Sequence, residues 1–225
     1  LFFFIQIYLE IINIYFSKKR ISMEFELNKN NTGLLVIDMQ NGFCHDDGSF
    51  GGAMGLDISP LKESISGCVK LLETARKNEY PIAFTRYIYK EDYSDGGVLV
   101  DDLMPGLAEV ESLKAGTWDI EILDELTPNE GETVVDKNRP SAYYNTNLNE
   151  WLEGNNLSQI ILCGVTTSIC VETTTRDLSQ EDYRVVIASD AVNELEPDRH
   201  EVALKTLAFG FAWVNSVDEI ISRMN

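Results

Sequence analysis

Histidine, paired cysteine and positive charge are all scarce in this sequence. Its 225 residues hold two histidines, His45 and His200, and four cysteines, at positions 44, 68, 163 and 170, with no C-x-x-C pair. That donor set argues against a structural zinc site, and the irregular spacing against a disulfide framework. Four free thiols in a reducing, cytoplasmic compartment are expected instead. Eighteen Lys and Arg against 37 Asp and Glu leave a formal charge of −19. A surface that acidic repels phosphate backbones and anionic bilayers, which argues against a nucleic-acid or membrane partner. No G-x-G-x-x-G follows the first apolar strand, so a dinucleotide-binding enzyme is discounted. There is no internal repeat, low-complexity tract or linker, and 44% hydrophobic with 24% charged residues is the composition of a globular chain with a core.

The first sixteen residues, LFFFIQIYLEIINIYF, are strongly apolar, and Lys18-Lys19-Arg20 follow them. The run is shorter than the roughly 20 residues a membrane helix needs, and it contains Gln6 and Glu10. No basic residue precedes it and no A-x-A-like cleavage site follows, so it makes a poor signal peptide. The first methionine is Met23. Residues 1–22 are therefore expected to be a non-native or disordered extension, and residues 23–225 the domain.

From Gly33 the chain alternates short apolar runs with helix-periodic segments. The runs at 34–37, 81–85, 133–136, 159–164, 184–188 and 211–214 read as strands buried on both faces. Residues 60–78 read as a helix, with Pro60 in its first turn and Leu61, Ile65, Val69, Leu72 and Ala75 on one stripe. Further helices are expected over 146–154, ended by Gly154, and over 168–181 and 198–209. Strands separated by helices imply a three-layer α-β-α fold around a mostly parallel, Rossmann-like sheet of six strands. The irregular stretch 87–131 is too long for a passive connection and is expected to cover a site.

In such sheets ligands bind beyond the carboxyl ends of the strands, where strand order reverses. Three chemically apt residues fall at strand ends: Asp38 after the first, Lys137 after the third and Cys170 after the fourth. Cys170 follows a small-residue turn into a helix, where the helix dipole lowers a thiol's pKa and free N–H groups can hold an oxyanion. A carboxylate closing a buried strand is costly unless paired or used, and beside a thiol it can act as a general base. A lysine between them would stabilise thiolate and oxyanion. Taken singly, a buried cysteine, a loop-capping aspartate and a surface lysine explain the same three residues.

Together, the segments VIDMQNGF (36–43), VDKNRPSAYYNT (135–146) and LCGVTTSICVETTTRD (162–177) resemble the isochorismatase-like cysteine hydrolases. The resemblance spans 33–222. It implies a six-stranded parallel sheet, a catalytic triad of Asp38, Lys137 and Cys170, a cis peptide at Val165–Thr166, and an oxyanion site from the backbone N–H groups of Thr166 and Cys170. No cofactor or metal is implied: the loop after the first strand has one histidine and no Asp-x-His pair, which sets the sequence apart from the metal-dependent nicotinamidases of the family. Cys170 sets it apart from isochorismatases, which generally lack that cysteine.

The stretch from Gly116 through Trp118 and Asp119, with Lys137-x-Arg139-x-Ser141-Ala142-Tyr143, resembles the ureidoacrylate, biuret and carbamoyl amidohydrolases. Pro140 departs from that pattern, because an aromatic is usual there. The expected activity is hydrolysis of a C–N bond in a small amide, ureido or carbamoyl compound, with ammonia release through a Cys170 thioester. Gln40, Phe43, Arg86, Trp118, Arg139 and Tyr143 are candidate substrate contacts. For Arg86 a structural ion pair is the competing explanation, and for Phe43, Trp118 and Tyr143 ordinary packing. A homodimer or homotetramer is expected. The alternatives are a nicotinamidase or isochorismatase-type hydrolase of the same family, and a catalytically silent binding protein on the same fold.

Overall fold

The computed structural model describes residues 23–224. The expectation for residues 1–22 lies outside that range. Six strands form one sheet: β1 (Thr32–Ile37), β2 (Ile82–Tyr87), β3 (Thr133–Lys137), β4 (Gln159–Val165), β5 (Arg184–Asn193) and β6 (Ala212–Asn215). Their order is β3-β2-β1-β4-β5-β6, and every pairing is parallel. β1 and β4 are buried at every residue, which is why they read as unbroken apolar runs.

The main helices are α1 (Ile65–Lys77), α2 (Leu148–Gly154), α3 (Glu172–Gln180), α4 (Pro197–Gly210) and α5 (Val217–Ile221). Strand order runs one way from β1 to β3 and the other way from β4 to β6, so right-handed crossovers place α1 on one face and α3 and α4 on the other. α5 packs against α1. The segment expected as one helix over 60–78 is two, Ser59–Glu63 and α1. The Ser64 hydroxyl donates to the Leu61 carbonyl at 2.6 Å at the break. The buried stripe of α1 consequently shifts to Cys68, Leu71, Leu72 and Ala75.

Three helices end in one way. At the close of α1, α2 and α3, Tyr80, Leu157 and Tyr183 each donate a backbone N–H five residues back, to Ala75, Leu152 and Leu178. The residue before each of them, Glu79, Asn156 and Asp182, has positive φ. This is the Schellman closure with a non-glycine residue at its left-handed position. Asn156, rather than Gly154, therefore turns the chain out of α2.

Gly164 is different in kind. Its φ is +112°, and a Cβ there would lie 2.0 Å from the Ile37 carbonyl oxygen. Only glycine lets β4 approach the end of β1 this closely. That approach brings the two strand ends at the switch point together.

Candidate active site

Asp38 follows β1 directly, in a left-handed conformation (φ 49°). Its N–H donates to Thr85 Oγ1 at 3.0 Å, and the Thr85 hydroxyl donates to Asp38 Oδ1 at 2.5 Å. Its other oxygen, Oδ2, lies 2.7 Å from Lys137 Nζ, and both side chains are wholly buried. This is a charge contact whose angles fall short of a hydrogen bond, so Oδ2 keeps an acceptor lone pair for another proton. Lys137 Nζ also donates to the Arg139 carbonyl at 3.2 Å and to Cys170 Sγ at 3.4 Å, and sits 4.1 Å from the centre of the Tyr87 ring. Register explains this arrangement: Tyr87 pairs with Lys137 across β2 and β3.

Cys170 lies in a wide helical turn, Thr167–Val171, that precedes α3. The Val165–Thr166 peptide is cis. Burial pushes the Cys170 thiol up, above the ordinary value of 9.0. The Lys137 cation pulls it down, while the Asp38 charge and a thiol hydrogen bond to Asp38 push it up again. The lowered pKa expected from a helix dipole is not what this environment produces, because the desolvation of a buried thiol outweighs the nearby cation. Burial thus disfavours the thiolate, with the Asp38 side chain beside the sulfur.

The thiol faces a cavity of about 310 Å³. Cys170, Thr166, Glu194 and Arg199 are its polar-bearing margin, and Phe43, Phe50, Tyr87, Tyr89 and several aliphatic side chains form the wall. Leu99, Met104, Leu107 and Leu113, from the stretch 87–131, close the outer side. A second groove, bordered by Tyr183, Phe209 and Trp213, contains neither cysteine nor histidine. Among the described residues no group of three His, Cys, Asp or Glu side chains could hold a metal ion.

Of the six candidate substrate contacts, Phe43 borders the cavity. Gln40 is buried but spent: its amide donates to the Tyr87 and Ile120 carbonyls, and its oxygen accepts from Tyr87 N–H at 2.6 Å. It ties the ends of β1 and β2 to the cover. Arg86 points to the other face of the sheet and forms a two-pronged pair with Asp136 at 2.8 and 2.9 Å. Trp118 is 46% exposed and packs perpendicular to the His45 ring. Arg139 donates to the Asp95 and Asn138 carbonyls and props the cover. Tyr143 is half-buried, its N–H bonded to Ser141 Oγ. These five do not border the cavity.

The structure gives roles to residues that were not among the candidate site residues. Asp119, next to Trp118, accepts from Ser49 N–H, the Ser49 hydroxyl and Leu113 N–H, which knits the cover to the loop after β1. Glu194, almost wholly buried, accepts from Ser168 N–H and the Ser168 hydroxyl, and so holds the turn that carries Cys170. Arg199 contacts Glu194 at 3.4 Å and Glu196 at 3.3 Å at the cavity rim. The signal for Glu194 was its place at the carboxyl end of a central strand. It was hidden because the apolar run of β5 breaks at Ser189-Asp190 while the strand continues to Asn193.

A parallel sheet that gathers a cysteine thiol and a buried carboxylate–amine pair at its switch point places them where α/β proteins bind ligands. The chain belongs to the isochorismatase family, whose domain model matches residues 32–219. A ureidoacrylate amidohydrolase of Agrobacterium fabrum is 29% identical to it over 208 residues, covering 86% of this chain and 90% of that protein. One from Pseudomonas syringae pv. syringae is 30% identical over 209 residues, covering 86% and 83%. Among solved structures, a cysteine hydrolase from Pseudomonas syringae pv. phaseolicola has a TM-score of 0.80 at 30% identity, covering 89% of this chain and 95% of that one. An N-carbamoylsarcosine amidase from Thermoplasma acidophilum has a TM-score of 0.66 at 25% identity, covering 84% and 97%. The chain is a hydrolase of this family, and its curated relatives named here are amidohydrolases.

Proposed function

We propose that this chain is a cysteine-dependent amidohydrolase that releases ammonia from an amide, ureido or carbamoyl group through a Cys170 thioester. The observation that carries this reading is the buried contact set in which Lys137 Nζ lies 2.7 Å from Asp38 and 3.4 Å from Cys170 Sγ. Because burial disfavours a free thiolate, attack and proton transfer go together. Asp38 takes the thiol proton as Sγ bonds to the carbonyl carbon. The backbone N–H groups of Thr166 and Cys170, two residues that line the cavity, receive the oxyanion. Lys137 compensates the negative charge that moves from carboxylate to sulfur and oxygen. Asp38 returns its proton to the departing nitrogen, and ammonia leaves. A water then attacks the thioester, Asp38 taking its proton and passing it to the sulfur, so that the thiol, the carboxylate and one acid product result.

The substrate is a small molecule, and the reaction needs no nucleic acid, membrane or cofactor. Among the described residues no helix is long and apolar enough to cross a membrane. Four free cysteines, all buried, support a reducing cytoplasmic setting. A homodimer or homotetramer is the assembly we propose, to be read from light scattering on the purified protein.

The test is ammonia release from ureidoacrylate, biuret, N-carbamoyl amino acids, nicotinamide and simple primary amides. Cys170→Ala is expected to lose turnover by about a thousandfold or more, with an unchanged circular dichroism spectrum. Full activity in that variant would sink the mechanism.

A further inference from the structure

The cavity in front of Cys170 is poorly matched to a small polar ureide. Phe50, Tyr89, Leu99, Leu107, Leu113 and Ile169 all border it and offer it hydrocarbon or ring surface. The one carboxylate on its margin, Glu194, is already engaged by Ser168 N–H, the Ser168 hydroxyl and Leu195 N–H. The one guanidinium, Arg199, is drawn to Glu194 and Glu196. A compact ureide carries donors and acceptors on almost every atom. Moved into this chamber it would lose water at most of them and regain few partners, at a penalty for each unpaired group. A hydrocarbon body gains on transfer to the same wall. The volume, about 310 Å³, also exceeds what such a compact ureide fills.

The Tyr87, Tyr89 and Thr166 hydroxyls also belong to the wall. The Tyr87 hydroxyl is buried, and its contact with the Tyr89 hydroxyl falls short of full hydrogen-bond geometry, while its ring lies against Lys137. A buried hydroxyl left unpaired is costly, and a bound acceptor atom would remove that cost.

We propose that the substrate is a primary carboxamide or N-carbamoyl compound carried on a hydrocarbon body, branched aliphatic or phenyl, which fills the chamber while the Tyr87 hydroxyl donates to one acceptor atom of the substrate. This rests on the amidohydrolase reading and narrows it. For a carboxamide, the acyl carbon bonds to Sγ and the C–N bond breaks. The hydrocarbon stays on the thioester, and water releases R–COOH after NH3 has left.

The experiment compares kcat/KM for ammonia release along acetamide, butanamide, hexanamide and phenylacetamide with the values for N-carbamoylglycine, ureidoacrylate and biuret. Each added methylene is expected to raise kcat/KM by about fourfold until the chamber is full. A flat series, or a higher value for biuret or ureidoacrylate than for phenylacetamide, would overturn the proposal. If no compound yields ammonia, the amidohydrolase reading fails, and the chamber is then judged by calorimetry on the Cys170→Ser variant. Phenylacetamide should bind at least about tenfold more tightly than biuret, and equal binding would overturn the proposal. Tyr87→Phe keeps the ring beside Lys137 and removes only the hydroxyl. It should lower kcat/KM for phenylacetamide by about tenfold, mainly through KM, and no change would remove Tyr87 from the proposal.

Discussion

Two ion pairs stand one residue apart on β3. Asp136 pairs with Arg86 and Lys137 pairs with Asp38, at similar distances of 2.8 and 2.7 Å. Successive residues of a strand face opposite sides of the sheet. The first pair opens to solvent, with 30% and 53% of its side chains exposed, and the second is sealed at 0% for both. Water screens the first, so its two-pronged geometry fixes the edge of the sheet and little else. Nothing screens the second. Its charges were stripped of water on folding, and the attraction between them is bound up with a nearby thiol. Distance alone does not separate a structural pair from a working one. What separates them is burial, together with a third polar group left unsatisfied by the pair.

Removing the cation from each pair tests that distinction, and the larger effect is expected at Lys137. Lys137→Met leaves Asp38 as a buried carboxylate facing a thioether. Loss of one partner from a buried pair costs about 3–5 kcal/mol, to be read as a lower midpoint in guanidinium chloride. Adding Asp38→Asn removes the stranded charge and should return part of that loss. A single variant as stable as the parent would mean that Asp38 is already neutral in the native protein. Turnover should be lost in both variants, since neither holds the charge that the mechanism moves.

Proton linkage gives a second, smaller effect. Cys170 and Cys44 are both raised above the ordinary thiol value of 9.0, each chiefly by burial. Below that value folded and unfolded chains both hold these protons, so the stability from burying neutral thiols is fully present. Above it the unfolded chain releases protons that the folded chain keeps, and stability falls as pH rises. Thermal melts should therefore show a decline in Tm beginning near pH 9, and a shallower decline in Cys170→Ala. The same burial predicts that Cys170 reacts with iodoacetamide more slowly than a free thiol at pH 8, and more slowly still in Lys137→Met, because the lysine is what pulls the thiol down. A fast, pH-independent alkylation below pH 8 would show a preformed thiolate instead.

Most of the sheet was legible because a strand buried on both faces must be written in apolar residues. Leu34-Leu35-Val36-Ile37 and Gln159 to Val165 admit few other readings. The three residues at the site were legible for the complementary reason. Asp38, Lys137 and Cys170 are polar or reactive where such a strand ends, and the switch point of the topology gathers them. The wall of the cavity was not legible. Leu99, Leu107 and Leu113 come from a cover with no regular period, so nothing local distinguishes a side chain facing the thiol from one packed beneath it. Trp118 illustrates the difficulty. Its motif drew attention to the large aromatic, yet Asp119 beside it makes the connections to Ser49 and Leu113. Gln40 misleads in the same way: it stands two residues after Asp38 in its motif, but both ends of its amide are consumed by backbone.

Arg86 gives the smallest expected effect and the sharpest contrast. It lies on β2 one residue before Tyr87, and sequence alone admitted it as a partner for a substrate carboxylate. Its pair with Asp136 faces away from the cavity, and its nearest cleft is bordered by Glu121 and Asp124, a setting that repels an anionic ligand. Arg86→Ala should cost about 1 kcal/mol or less, and the loss should shrink further in 0.5 M salt as screening weakens what it removed. kcat/KM for any substrate the protein turns over should stay within about twofold of the parent. A tenfold rise in KM confined to carboxylate-bearing substrates would return Arg86 to the binding site. It would also mean that the two faces of β3 are coupled, because Asp136 and Lys137 are adjacent on that strand and a loosened Asp136 can reach the active site only through Lys137.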